Sequence, residues 1–345
     1  MNAAAQAPSL VRLRAIPDRG MFMKTRIEGS RYAMIVLAAV LVVTMNTLGR
    51  AASSSETIYV LDTDNHRVQT FNRDGVYRSQ FRHSFDLPTG IALDSNTNVY
   101  VKDGNLHCHV DKFDSNGKFI LHFGACEHGT IGRRIFDNVG AVATTATGNV
   151  WVTSPDFYYM QEFDGSGKFL HIVCMANVGV PKCSPVTTFE VQPAGIALDG
   201  TGNIYVTNVY PFTGGNNVVK FNARGKYLAT IGSAGSGDGQ FNDPEGIAVD
   251  PNGNIYVADS GNNRVEVFDR NGVYQSQFGT HGSGNGQFQY PSGIAFGAGG
   301  KVYVTDIGNN RVQVFDSNGT YLSQFGSYGQ GKGQFFAPIG VAISK

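Results

Sequence analysis

GIAVDPNGNIYVADSGNNRVEVFDRNGVYQSQFG, residues 246–279, decides the fold. GIAV, NIYVAD, RVEVF and YQSQF each alternate apolar and polar residues with the period of a half-buried strand. DPNG, GNN and DRNG separate them, and each carries turn chemistry. Four short antiparallel strands in about 34 residues make one sheet that cannot bury both faces alone.

The unit recurs. Its opening tetrad, glycine-apolar-alanine-apolar or a close variant, begins at Gly90, Gly140, Gly195, Gly246, Gly293 and Gly340, at spacings of 50, 55, 51, 47 and 47 residues. Glycine also returns in the turn between third and fourth strands, at Gly75, Gly117, Gly167, Gly225, Gly272 and Gly319, where a hairpin demands positive φ. Sheets repeated at this period stack radially, so the expected fold is all-β: a six-bladed β-propeller of four-stranded antiparallel blades. The ends predict how the ring closes. TIYVLD at 57–62 reads as a second strand, and PIGVAIS at 338–344 as a first strand. One blade is therefore expected to be split, its inner strand from the C-terminus and its outer three from the N-terminus. Numbered by inner strand, blade 1 starts at Gly90 and the split blade 6 at Gly340.

The stretches GDGQFNDPEGIAVDPNGNIYVADSGNNRVEVFD (237–269) and GNGQFQYPSGIAFGAGGKVYVTDIGNNRVQVFD (284–316) resemble NHL repeats. The resemblance extends over residues 57–345 and is weakest between 90 and 231. It implies a propeller used as a binding platform. Relatives bind RNA or protein, sense ligands outside bacterial cells, or carry a metal-dependent lyase site.

Asp259 and Arg264, with two asparagines between them, look at first like a ligand site. The same pair stands at Asp306 and Arg311 and at Asp62 and Arg67, always five residues apart. In blade 2 the matching residues are Ser154 and Tyr159, and in blade 3 Asn208 and Val218 are expected. Acid and base vanish together, as they must if a buried arginine needs its carboxylate. The three pairs are therefore read as salt bridges that staple the loop between second and third strands. The glycine-rich connectors lack the lysine-serine or lysine-threonine ending of a phosphate-binding loop and run into strands. DPNGN lacks the closing acid of a calcium loop.

Function is expected where the chain departs from its own repeat. In such a blade the loop between second and third strands and the connector to the next blade leave on one face. The irregular segments of blades 1–3 all fall there. Phe157, Tyr158, Tyr159, Tyr210 and Phe212 are the candidate ligand-contacting aromatics, with packing beneath the long connector as the alternative. Cys108 with Cys126 and Cys174 with Cys183 are the expected disulfides, though four cysteines allow three pairings. A zinc cluster of His107, His109, Cys126 and His128 is the rival reading. His66, His83, His128 and His281 fall on the same face without forming a recognisable catalytic pattern.

Residues 1–51 differ in kind. Six basic residues precede the apolar run AMIVLAAVLVVTM (33–45) and a small-residue stretch, the layout of an export signal with cleavage after Ala51. The run is shorter than the ~20 residues of a membrane span, and an uncleaved tether is the alternative. Met21 and Met23 offer alternative starts. Export favours disulfides over zinc. Lys and Arg number 27, Asp and Glu 27, so no polyanion affinity follows and nucleic acid is disfavoured. The expectation is an exported, monomeric, non-catalytic propeller without a cofactor, recognising a protein, peptide or glycan through the irregular face of blades 1–3. A metal-dependent, lyase-like or hydrolytic enzyme is the alternative.

Overall fold

The computed structural model describes residues 56–104, 108–125, 140–175, 187, 190–209 and 214–344. Their strands form six four-stranded antiparallel sheets, the blades of a propeller. Blade 4 shows the plan: Pro244–Val249 innermost, then Ile255–Asp259, Arg264–Phe268 and Tyr274–Phe278. Blade 6 joins the two ends of the described chain. Pro338–Ile343 pairs antiparallel with Thr57–Asp62, which continues into Arg67–Asn72 and Tyr77–Phe81.

The core lies between the blades. Apolar side chains that alternate along second and third strands meet those of the neighbouring sheet, giving a separate cluster at each of the six blade junctions. Blades 3 and 4, for example, enclose Tyr205, Val218, Ile231, Phe241, Ile247, Ile255, Val257 and Phe268. Each such side chain contributes about 1.5–3 kcal/mol on burial, so no blade is stable without its neighbours.

Two glycines explain why the repeat keeps that residue. Gly272 sits at φ +83°, and a Cβ there would also strike Ile231 of the preceding blade. A Cβ on Gly246 would sit on the carbonyl oxygen of Ser292, in the inner strand of the next blade. Inner strands can therefore pack around the axis only where the tetrad opens with glycine.

The connectors hold structure that the repeat pattern does not reveal. Ser233–Ala234 pairs in parallel with Gln240–Phe241, Thr280–His281 with Gln287–Phe288, and Tyr328 bridges Phe335. Phe241, Phe288 and Phe335 are fully buried, each plugging a blade junction. No helix among the described residues is long and apolar enough to cross a membrane. The expected export segment, residues 1–51, lies outside the described residues.

Candidate functional site

Asp259 and Arg264 close the ends of adjacent strands and face each other directly. Arg264 Nε donates to Asp259 Oδ2 at 2.7 Å, and Nη1 to Gln277 Oε1 at 2.6 Å. Nη2 donates to the carbonyls of Gly237 and Gln240, at 2.8 and 2.7 Å. Asp259 Oδ1 accepts the backbone N–H of Asn242 at 2.7 Å. The pair therefore does more than close its own loop. It clamps the glycine-rich connector that leads into the blade, which explains why that connector has backbone carbonyls turned inward.

The same geometry recurs at Arg67 with Asp62, 2.6 Å apart, and at Arg311 with Asp306, 2.8 Å apart. Burial raises the Asp259 carboxyl above its ordinary value, opposed by its hydrogen bonds and by the Arg264 guanidinium. The asparagines have matching duties. Asn262 Nδ2 donates to Gly235 O at 2.8 Å, within the same connector. Asn263, left-handed at φ +56°, accepts the N–H of Tyr290 at 3.0 Å and so ties the next blade.

Blade 3 replaces the ion pair with an amide pair. Asn217, not Val218, stands opposite Asn208; Val218 pairs with Thr207 and lies in the core. The insertion around residues 209–215 hides this shift from the spacing. Asn208 Nδ2 donates to Asn217 Oδ1 at 3.3 Å, and Asn208 Oδ1 still accepts the connector N–H of Gln192 at 2.9 Å. Blade 1 keeps the acid: Asp103, opposite His109, accepts the N–H groups of Asp86 and Leu87. The carboxylate or amide that holds the incoming connector is thus retained in blades 1, 3, 4, 5 and 6. What changes is the group opposite.

In blade 2 that opposite group is Tyr159, facing Ser154, and both are fully buried. Tyr159 stacks on Phe157 at 5.7 Å and packs with Cys174 and Ile172 in a small cluster of its own. Tyr159, expected either to contact a ligand or to pack beneath the connector, is here fully buried in that packing. It fills the space an arginine takes elsewhere, and it leaves Phe157 half-covered. Tyr158 is partly exposed at φ +54°, its carbonyl accepting the N–H of Met175 at the start of the long connector. Tyr210 and Phe212 lie outside the described residues. Elsewhere the face exposes aromatics that the repeat comparison passes over: Tyr290, Tyr328 and Phe336, the last two in edge contact at 5.4 Å.

Cys108 and Cys174 are buried and neither is a free thiol; Cys126 and Cys183 lie outside the described residues. Of the rival zinc set, only His109 is described. It stacks on His122 at 5.2 Å and places Nε2 3.1 Å from Asp111. His83 stacks on Phe119 at 4.4 Å, while His66 and His281 are exposed. Among the described residues no three His, Cys, Asp or Glu side chains gather as metal ligands.

At the axis a cavity of about 400 Å³ is walled by all six inner strands, with Ile91, Val142, Ile196, Ile247, Ile294 and Val341 around it. Gln192 and Asp243, which precede inner strands, and Pro155 and Val209, which follow second strands, line its mouth. The cavity therefore opens on the connector face. Glu245 lines it too, its carboxyl raised above the ordinary range by burial despite a hydrogen bond from Ser292.

The model of the NHL repeat matches residues 241–268 and 288–315. Among solved structures, a nidogen/laminin complex shares the fold with a TM-score of 0.61 at 14% identity, covering 85% of this chain and 99% of that one. A protein of unknown function from Bacteroides caccae gives 0.59 at 13%, covering 85% and 100%. Virginiamycin B lyase from Staphylococcus aureus gives 0.54 at 14%, covering 79% and 82%. At these identities the likeness concerns fold alone. The two matched segments are the second and third strands of blades 4 and 5 with the strands and loops that lead into them, so the chain is a six-bladed β-propeller carrying two segments that match the NHL repeat.

Proposed function

We propose that this chain is an exported, non-catalytic binding propeller that recognises a protein, peptide or glycan partner through the connector face of blades 1–3. One observation carries the reading. In blades 4–6 the loop arginines are engaged by the chain's own carboxylates, glutamines and carbonyls, so that side of the face is scaffold. Blades 1–3 give up the arginine, and there the loops lengthen and diverge, although blades 1 and 3 keep the residue that holds the connector. Rigid scaffolds with variable loops are the usual platform for recognition. The nidogen/laminin structure, itself a complex, supports a protein partner within this fold.

In this reading Cys108 pairs with Cys126 and Cys174 with Cys183, tying the irregular loops in an oxidising compartment. The propeller is monomeric and needs no cofactor. The test is a photo-crosslinking side chain placed at Tyr158 and, separately, at Val273, an exposed residue in a turn between third and fourth strands on the opposite face. In the native host, a discrete crosslinked partner from position 158 and none from 273 is expected. Equal labelling from both, or a partner from 273 alone, contradicts the proposal. Stoichiometric tightly held metal in the purified protein would favour the lyase-like alternative.

A further inference from the structure

The inner strands of blades 1, 3, 4, 5 and 6 open with proline-x-glycine, and x lines the axial cavity as Thr89, Ala194, Glu245, Ser292 and Ile339. The scaffold accepts threonine, alanine, serine or isoleucine at x, so a carboxylate there serves no structural purpose. The backbone of Glu245 does carry one: its carbonyl accepts the Thr207 hydroxyl at 2.7 Å, a duty any residue could perform.

The side chain is in a different position. Its hydrogen bond comes from the side chain of Ser292, which is itself buried. Asp243 at the mouth adds a second negative charge, and no lysine, arginine or histidine is among the described lining residues. Glu245 is only partly exposed to the cavity, and burial among its walls raises the carboxyl, with no cationic side chain among the described lining residues to offset the cost. The buried carboxylates of the staples, by contrast, each have an arginine.

We infer that the axial cavity is a binding site for a small organic monocation, an ammonium group on an aliphatic or aromatic body, with Glu245 as its counter-ion. The cavity of about 400 Å³ lies in the size range of small-molecule sites, ~300–1,000 Å³. The apolar walls take the body of the ligand, the Glu245 carboxylate and the Ser292 hydroxyl take its head, and Asp243 attracts it at the mouth. A divalent metal is a poorer occupant, because such ions need more oxygen ligands than one carboxylate and one hydroxyl supply. The cavity opens on the same connector face, with Pro155, Gln192 and Val209 of blades 2 and 3 at its mouth, but the cation site does not depend on the partner-binding reading.

The experiment is ligand-observed saturation-transfer NMR with titration, using phenethylammonium, the neutral phenethyl alcohol and the anion phenylacetate on the whole protein, beside calcium. Wild type is expected to bind the cation at least about tenfold more tightly than the alcohol, a difference of ~1.4 kcal/mol, and the anion least. Glu245→Gln should keep its melting temperature, since the other blades tolerate neutral residues at x, and should lose the preference for the cation. Should Glu245→Gln fail to fold, Ser292→Ala is expected to weaken the cation more than the alcohol. Equal affinity for cation and alcohol, a preference that survives both substitutions, no binding of any probe, or calcium bound in place of the cation would each overturn the inference.

Discussion

Arg264 Nη2 lies 3.0 Å from Glu266 Oε1, a contact with no counterpart in blades 5 and 6, where Gln313 and Gln69 stand at the same place. Each glutamine donates Nε2 to its staple aspartate, Gln69 at 3.0 Å and Gln313 at 3.1 Å, and to a connector carbonyl at 2.6 Å. Glu266 can imitate that only when protonated, and its buried Oε2 has no hydrogen-bond partner otherwise. Burial pushes its carboxyl to about 7; Arg264 opposes the rise and Asp259 adds to it.

A pH dependence follows with a definite sign. The folded value lies above the ordinary 4.5, so the folded state holds this proton more tightly than the unfolded chain. The stabilisation is complete below about pH 4.5 and is lost as pH rises through about 7. Glu266→Gln supplies the donor permanently. In urea unfolding the variant should exceed wild type by roughly 2–3 kcal/mol at pH 8 and by little at pH 4.5, because each tenfold gain in proton affinity on folding is worth ~1.4 kcal/mol. Equal stability at both pH values would contradict the protonated-glutamate account.

Gly246→Ala should cost about 1–3 kcal/mol or more, because the new methyl meets the Ser292 carbonyl of the next blade. Gly200→Ala is the control, since a Cβ there meets nothing within 4 Å. Thermal melts of the two proteins should separate clearly, and coincident melts would show that inner strands can part without loss.

Tyr159→Ala is expected to lose about 3–5 kcal/mol, as other large buried aromatics do. The change at Tyr158, half-exposed beside it, should cost much less. Paired denaturation curves check this, and a Tyr159→Ala protein as stable as wild type would contradict the packing role.

The blades, their boundaries and the staple residues are legible in the sequence because strand alternation and turn glycines repeat. Three things are less so. The insertion near residues 209–215 shifts the register by one, so spacing alone places Val218 where Asn217 stands. Tyr159 reads as a loop aromatic by composition, yet it occupies the arginine position, which the repeat itself shows to be inside. Glu245 escapes notice because a strand position facing an axial cavity looks like any polar position facing solvent. Its signal is the contrast with Thr89, Ala194, Ser292 and Ile339, visible once the inner strands are superposed.

The central claim is that Asp259 and Arg264 act as one clamp on the connector. Removing Arg264 alone leaves a buried carboxylate uncompensated, at a cost of about 3–5 kcal/mol. A double-mutant cycle of Arg264→Ala and Asp259→Ala, read by equilibrium unfolding, tests this most directly. A double variant that loses no more than the worse single variant is the predicted result; losses that simply add, or an Arg264→Ala protein as stable as wild type, would contradict the clamp.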